Sequence, residues 1–312
     1  MTAGQVPKLN EGEFRDLYQR LRSSRPWGSD DRRGALNYLT PDRVRLAAGL
    51  VRSGRSVSLA APVQTWPSVD APHPCQHEII APGEDGAIAQ GLDFGRDRFA
   101  MDVHGDVDSH IDALSHVIFD RRLYNGVPGG SRESIESSPL SIALAADGIV
   151  GRGLLLDIPG VRGVRWLEPG EQVSAEDLIA AERAQDVRIG AGDLLFVRVG
   201  HRARRDELGP WDTARHRAGL HPTALELLAE RRIAVLGSDG NNDIAPSPTE
   251  GVGFPVHVLA VNALGINLLD YLQFEELLPL CAAEGRWSFL CVIAPLRLSN
   301  GTGSPVNPIA VL

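Results

Sequence analysis

Apolar positions recur at helical spacing near the start of the chain. Phe14, Leu17, Tyr18 and Leu21 share one stripe of residues 11–23, which predicts an amphipathic helix. Thr40-Pro41-Asp42-Arg43 predicts a second helix start, with Thr as cap, Pro at the first position and an acid in the first turn. That helix is expected to run to about Ser53 and close near Gly54. Residues 27–37 read as an irregular connector between the two. The period then changes. Val57–Val63 reads as a strand, and Phe99–Val107 alternates as another. Between them, residues 64–95 are rich in Pro, Gly and polar side chains, and a stretch of that length is expected to be an active-site lid or an arm between subunits. Residues 113–119 are expected to form a short helix or a bend.

The second half alternates between buried strands and helices. Ile149–Ile158, Asp193–Val199 and Ile233–Gly237 read as strands. Ser174–Ala184, capped by Ser174, and Pro222–Glu230 read as helices between them. Val256–Asn262 is a further helix, and Leu269–Leu277 with Trp287–Pro295 completes the core. Gly126–Gly130 and Asn300–Ser304 are turns. This alternation predicts an α/β fold. With no convincing linker, one core over residues 56–312 is expected, preceded by an N-terminal helical extension over 1–55.

Composition narrows the function classes. The chain has 312 residues and a formal net charge of −9, without the clustered Lys and Arg a nucleic-acid footprint needs. Aromatics are only 5%, so the core is expected to be Leu, Val, Ile and Ala. Cys75, Cys281 and Cys291 show no regular spacing, which fits reduced thiols and a cytoplasmic protein. The N-terminus has no apolar leader, and no run approaches the ~20 apolar residues of a membrane span.

Chemistry concentrates in Phe99–Gly126. Three of the nine histidines, His104, His110 and His116, lie there with Asp106, Asp108 and Asp112. In an extended chain, alternate residues face one way, so His104, Asp106, Asp108, His110 and Asp112 would form one row. Burying that row requires compensation of its charge, and a divalent metal supplies it. Imidazole nitrogen with carboxylate oxygen suits Zn²⁺, Mn²⁺ or Fe²⁺ better than Mg²⁺. His116, about a turn beyond Asp112, has the position expected of a general base. Tyr124, His201 and Asp239 are further pocket candidates. Tyr124 closes the metal segment, His201 follows a buried strand, and Asp239 begins a polar run with Asn241, Asn242 and Asp243 at a strand end, where an Asx turn is an equal reading. No G-x-S-x-G elbow marks a serine nucleophile.

The string Ser109-His110-Ile111-Asp112-Ala113-Leu114-Ser115-His116 resembles the H-x-G-T-H-x-D-x-P-x-H signature of the cyclase family of metal hydrolases, the kynurenine formamidase and isatin hydrolase group. Gly192-Asp193-Leu194-Leu195, Leu236-Gly237-Ser238-Asp239 and Thr302-Gly303-Ser304-Pro305 resemble three further family segments in the same order. The resemblance implies a swivelling β/β/α fold with a mixed sheet flanked by helices, and a homodimer or homotetramer. It implies His110 and Asp112 as metal ligands and His116 as catalytic base. His257 and Asp270 take the places of a second His and a Glu. Asp106 stands where the family has its first histidine, so Asp106, His104 or Asp108 is expected to complete the site. An extra oxygen ligand favours Mn²⁺ over Zn²⁺. The implied activity is hydrolysis of an amide, lactam or ester bond in a small-molecule substrate by metal-activated water. A cyclase or dehydratase of secondary metabolism, or a metal-free binding protein, are the alternatives.

Overall fold

The computed structural model describes residues 7–81, 92 and 94–312. Helix α1 (Glu11–Ser23) forms on the expected stripe, and all four of its apolar positions are buried. Asn10 caps it by accepting from the Glu13 N–H, while Glu13 accepts from the Asn10 N–H. Helix α2 (Pro41–Ala48) starts on Thr40 as expected but stops short of Ser53, with Gly49 as its cap. The chain beyond is tied to other segments. Leu50 O accepts from Arg286 Nη1 at 2.6 Å, and the Ser53 and Gly54 N–H groups donate to Leu312 O.

The strands, in chain order, begin with β1 (Ser56–Ser58), β2 (Gln76–Ile80), β3 (Arg96–Ala100) and β4 (His110–Asp112). Then follow β5 (Ile149–Asp157), β6 (Gln172–Val173), β7 (Leu194–Arg198), β8 (Gly219–Leu220) and β9 (Val235–Ser238). The last are β10 (Asn267–Asp270), β11 (Ser288–Ile293), β12 (Gly303–Pro305) and β13 (Ile309–Val311). Nine of them form one mixed sheet in the order β1-β13-β11-β5-β7-β9-β10-β4-β12. The segment β5-β7-β9-β10 is parallel, and β4 joins β10 antiparallel. The remaining helices are α3 (Arg132–Glu136), α4 (Ile158–Arg162), α5 (Ala175–Ala184), α6 (His201–Leu208), α7 (Ala224–Arg231), α8 (Pro255–His257) and α9 (Leu278–Glu284).

The parallel strands read as continuous apolar runs because both faces of the sheet are covered. Leu154, Leu156, Leu195, Val197, Leu236 and Leu268 pack into one core with residues of α1, α5 and α7. Their alternates Leu155, Leu194, Phe196, Val235 and Leu269 pack into a second core with Cys281, Phe289 and Cys291. This is the α/β architecture that the alternation predicts.

Two expected strands are shorter than their patterns. From Val57–Val63 only Val57 and Ser58 lie in β1, because the Leu59 N–H turns to Pro308 O, the Ala61 N–H turns to Ser109 Oγ, and Pro62 has no N–H. From Phe99–Val107 only the start lies in β3. Residues 101–109 turn back instead of extending, so the single row of Asp106, Asp108, His110 and Asp112 does not form. Of the 64–95 segment, residues 82–91 and 93 lie outside the described residues. Its described part contains β2, which pairs with β3 as a two-stranded ribbon.

Candidate metal centre

Strand β4 enters the sheet where parallel pairing gives way to antiparallel pairing, between β10 and β12. Such switch points leave side chains at strand ends without a covering crossover. His110 lies directly across from Asp270, and Asp112 lies on the same side of β4 as His110. Asp112, Asp270 and His110 are 1%, 2% and 3% exposed. His257 reaches them from α8. Asp243 fixes that short helix by accepting from the Val256 and His257 N–H groups at 2.7 and 3.0 Å.

Each imidazole is oriented by a partner on its outer nitrogen. His257 Nδ1 donates to Asp243 Oδ2 at 2.6 Å, which leaves Nε2 at 3.2 Å from Asp270 Oδ2 and 3.5 Å from Asp112 Oδ2. His110 Nδ1 donates to Asp108 O at 2.8 Å, and its Nε2 lies 3.8 Å from Asp112 Oδ1. Outer-nitrogen bonds of this kind fix the tautomer and aim of metal-ligating histidines. Asp270 is held by the Asn242 N–H and by the side-chain amides of Asn241 and Asn242. His104 comes in from the turned-back segment. Its Nδ1 lies 2.8 Å from Asp112 Oδ1, and its Nε2 contacts Thr302 Oγ1.

Two groups of candidate donors result, His104–His110–Asp112 and Asp112–His257–Asp270, each with its donor atoms within 4.8 Å of one another. Asp112 belongs to both. Burial pushes its carboxyl up, but His116, His104, His110 and His257 together hold it below the usual range. Burial lowers His257, yet Asp270 and Asp243 win and raise it well above its ordinary value. Among the described residues, Asp112 Oδ2 is buried with no hydrogen-bond partner. The cluster thus gathers buried carboxylates beside His257 and leaves one carboxylate oxygen without a hydrogen bond among the described residues. A divalent cation would supply the missing charge, so these residues fit a metal site.

His116 stacks on His104 with ring centroids 3.6 Å apart. Burial pulls its pKa down to about 4 against the opposing pull of Asp112, so the imidazole is neutral near neutral pH.

The other expected site residues fall in different places. Asp106 accepts from Tyr271 Oη at 2.8 Å and lies outside both donor groups. Asp108 accepts from the Gln64 N–H, and its carbonyl orients His110. Tyr124 is fully buried, donates to Asp31 Oδ2 and accepts from Trp27 Nε1, so its hydroxyl anchors the N-terminal connector. Asp239 accepts from the Val199 N–H, and burial pushes its carboxyl up to about 6 against the pull of Arg198. His201 is buried against Trp211 and Tyr271, and its Nε2 has no hydrogen-bond partner among the described residues. The sequence singles out the polar run through Asn241, Asn242 and Asp243 without giving those residues roles. The structure places them as supports of Asp270 and His257. Tyr271 carries no sequence signal, and Thr302 is marked only as part of the Thr302–Pro305 segment, because only the fold brings the two beside the cluster.

Residues 56–242 match the cyclase family, described as "Putative cyclase". That range includes His104, His110, Asp112 and His116 but stops before His257 and Asp270. An isatin hydrolase of Roseibium aggregatum is 30% identical over 141 residues, which cover 44% of this chain and 51% of that protein. The chain thus spans about half the length of the curated relative it matches. A crystal structure described as a novel cyclase superposes with a TM-score of 0.81 at 30% identity, over 95% of this chain and 99% of that one. Isatin hydrolase A from Labrenzia aggregata shares the fold, with a TM-score of 0.60 at 23% identity over 85% and 95% of the two chains. The matched residues, the swivelling β/β/α sheet and the histidine–aspartate cluster at its switch point lead to one conclusion: the chain belongs to the cyclase family.

Proposed function

We propose that the protein is a metal-dependent hydrolase of an amide, lactam or ester bond in a small molecule. The observation that carries this reading is the buried Asp112 carboxylate, shared by two groups of imidazoles and carboxylates, whose Oδ2 has no hydrogen bond among the described residues. His110, Asp112, His257 and Asp270 are the residues that would hold the ion. His104 is the reading we favour for the place of the family's first histidine, because it contacts Asp112 while Asp106 is engaged by Tyr271. Imidazole nitrogen and carboxylate oxygen together suit Mn²⁺ or Zn²⁺. Such an ion supplies Lewis acidity toward a carbonyl oxygen and lowers the pKa of water.

The chain's own residues do the rest. Asp243 and the Asp108 carbonyl keep each Nε2 facing the cluster, and Asn241 with Asn242 holds the Asp270 carboxylate. The neutral His116 imidazole has no hydrogen bond among the described residues, so it is free to take a proton from attacking water. It then returns that proton to the leaving nitrogen or oxygen. The relative named isatin hydrolase supports a hydrolytic reaction. This reading includes assembly as a homodimer or homotetramer and a cytoplasmic location, the latter supported by three free cysteines. No helix among the described residues is long and apolar enough to cross a membrane.

Elemental analysis after Mn²⁺ or Zn²⁺ loading and desalting tests the site. Near-stoichiometric metal is expected, and less than about 0.2 equivalents would remove the basis for the hydrolase. His116→Ala is expected to keep its metal and lose roughly 10²–10⁴-fold in turnover on any amide, lactam or ester the protein cleaves. Full activity in that variant would show that His116 is not the base.

A further inference from the structure

Residues 101–109 belong to no strand or helix, yet they carry His104 and the Asp108 carbonyl that aims His110. Single bonds from other elements must therefore fix them. Arg202 supplies one. It is the second residue of α6 and is 4% exposed. Its platform is closely packed: α6 starts on Gly200, where a Cβ would come within 2.6 Å of Trp166. Arg202 Nη2 donates to Val107 O and to Tyr271 O, the latter at 3.1 Å. Two hydrogens on that nitrogen suffice for both. Arg202 Nε is buried with no hydrogen-bond partner among the described residues. Asp108, Asp206 and Asp239 act on the guanidinium through space, and it stays charged near neutral pH. Burying a guanidinium without a hydrogen-bonded carboxylate is costly, so its use here points to the positions of the two carbonyls.

Both carbonyls flank the metal cluster. Tyr271 directly follows Asp270 and holds a left-handed φ of +55°, which is strained for a residue with a side chain. Its carbonyl is gripped twice, by Arg202 and by Ser109 Oγ at 2.6 Å. The Val107 carbonyl directly precedes Asp108. On the other side of Asp108, Ser109 O accepts from the Val306 N–H at 3.1 Å. The carbonyls before and after that of Asp108 are thus each held from outside the segment. The Asp108 carbonyl between them is left to accept from His110 Nδ1 at 2.8 Å.

We infer that Arg202 is a positioning residue of the metal cluster. Through Val107 O and Tyr271 O it ties the segment carrying His104 and Asp108 to the end of β10, and so sets the Nδ1–H tautomer and the aim of His110. It donates to none of the candidate ligands itself. Partners one step behind a ligating histidine govern its tautomer and its basicity. Arg202 stands one step further back, behind the carbonyl that His110 bonds. The bearing on a bound ion rests on the hydrolase reading. The effect on His110 does not.

Histidine ¹⁵N spectra of the metal-free full chain at about pH 8, where an ordinary imidazole is neutral, test the tautomer. The His110 signals are identified by their loss in His110→Ala. Wild type is expected to carry the proton on Nδ1. Arg202→Met keeps an apolar stem and removes the donors, and is expected to give a mixture of the two tautomers. Arg202→Lys keeps the charge and is expected to restore the Nδ1 form in part. Zn²⁺ affinity, read by competition with a chromophoric chelator, is expected to fall roughly 10–100-fold in Arg202→Met and by less in Arg202→Lys. A merely structural role would lower the urea midpoint and leave both readings of the folded protein unchanged. A folded Arg202→Met with the wild-type tautomer or the wild-type Zn²⁺ affinity therefore overturns the inference, as does a wild type without the Nδ1–H form. Should Arg202→Met not fold, Arg202→Lys decides: an intermediate tautomer supports the inference, and wild-type values in both readings overturn it. A tautomer that depends on Arg202 in a wild type that takes up no Zn²⁺ keeps the role of Arg202 and removes the hydrolase reading.

Discussion

Asp112 in β4 and Asp239 just after β9 are both fully buried carboxyls, and their neighbours separate their chemistry. The imidazoles around it hold the Asp112 carboxyl below the usual carboxylate range against its burial. Asp239 has burial against it and mainly Arg198 in its favour, and its pKa rises from 3.8 to about 6. The neutral acid is therefore favoured in the fold. Its stabilisation is complete below the unfolded value of 3.8 and is lost as pH rises through about 6. Above that, the buried charge costs about 3 kcal/mol, taking 1.36 kcal/mol per unit. Asp239→Asn keeps an oxygen for the Val199 N–H and removes the titration. Urea midpoints are expected to match wild type near pH 4 and to favour the variant by up to about 3 kcal/mol near pH 8. Parallel pH profiles would remove this account of Asp239. At this scale, the spacing of His110, Asp112 and His116 was legible. The approach of His104 was not, because it depends on residues 101–109 folding back.

The elements around the cluster are joined by close backbone contacts. The chain from His257 continues as a π-helix (Val258–Leu264), all of it buried, and ends at Gly265 in a left-handed conformation. Gly265 O accepts from the Ala35 N–H at 2.8 Å. A Cβ on Gly34, whose φ is +56°, would come within 2.2 Å of that oxygen. The N-terminal connector, the π-helix and Tyr124 therefore meet at a point only glycine permits. Asn262 extends the junction: it accepts from Tyr18 Oη of α1 and donates to Val117 O, the residue after His116. Gly34→Ala is expected to lower stability by roughly 1–3 kcal/mol through overpacking and a strained φ, read as a lower urea midpoint. An unchanged midpoint would mean that the contact does not constrain the connector. The helical stripe of α1 was legible from sequence. Its docking against the π-helix was not, since periodicity does not report a partner.

Across the whole molecule, the β2–β3 ribbon stands apart from the main sheet. Ile79, Phe99 and Trp66 are 71%, 59% and 60% exposed. A two-stranded ribbon is marginally stable alone, and clustered exposed apolar side chains mark a contact surface. This supports the expected assembly. Light scattering is expected to give wild type the mass of a dimer or tetramer. Ile79→Asp with Phe99→Asp is expected to reduce it toward that of one chain without loss of secondary structure, because neither side chain is buried. A wild type with the mass of one chain would remove the assembly proposal.

The sequence by itself determined the α/β class, the apolar stripe of α1, the capped helices α2 and α5, the buried parallel strands, and the segment that carries the chemistry. These are local properties, set by hydrophobic period, capping residues and spacing. Only the tertiary structure decided which of the polar residues meet. His110 faces Asp270 because of strand register, His257 is aimed by Asp243 from another element, and Asp106 is drawn to Tyr271 and away from the donor groups. Those outcomes depend on residues far apart in the chain, whose contact no local pattern encodes.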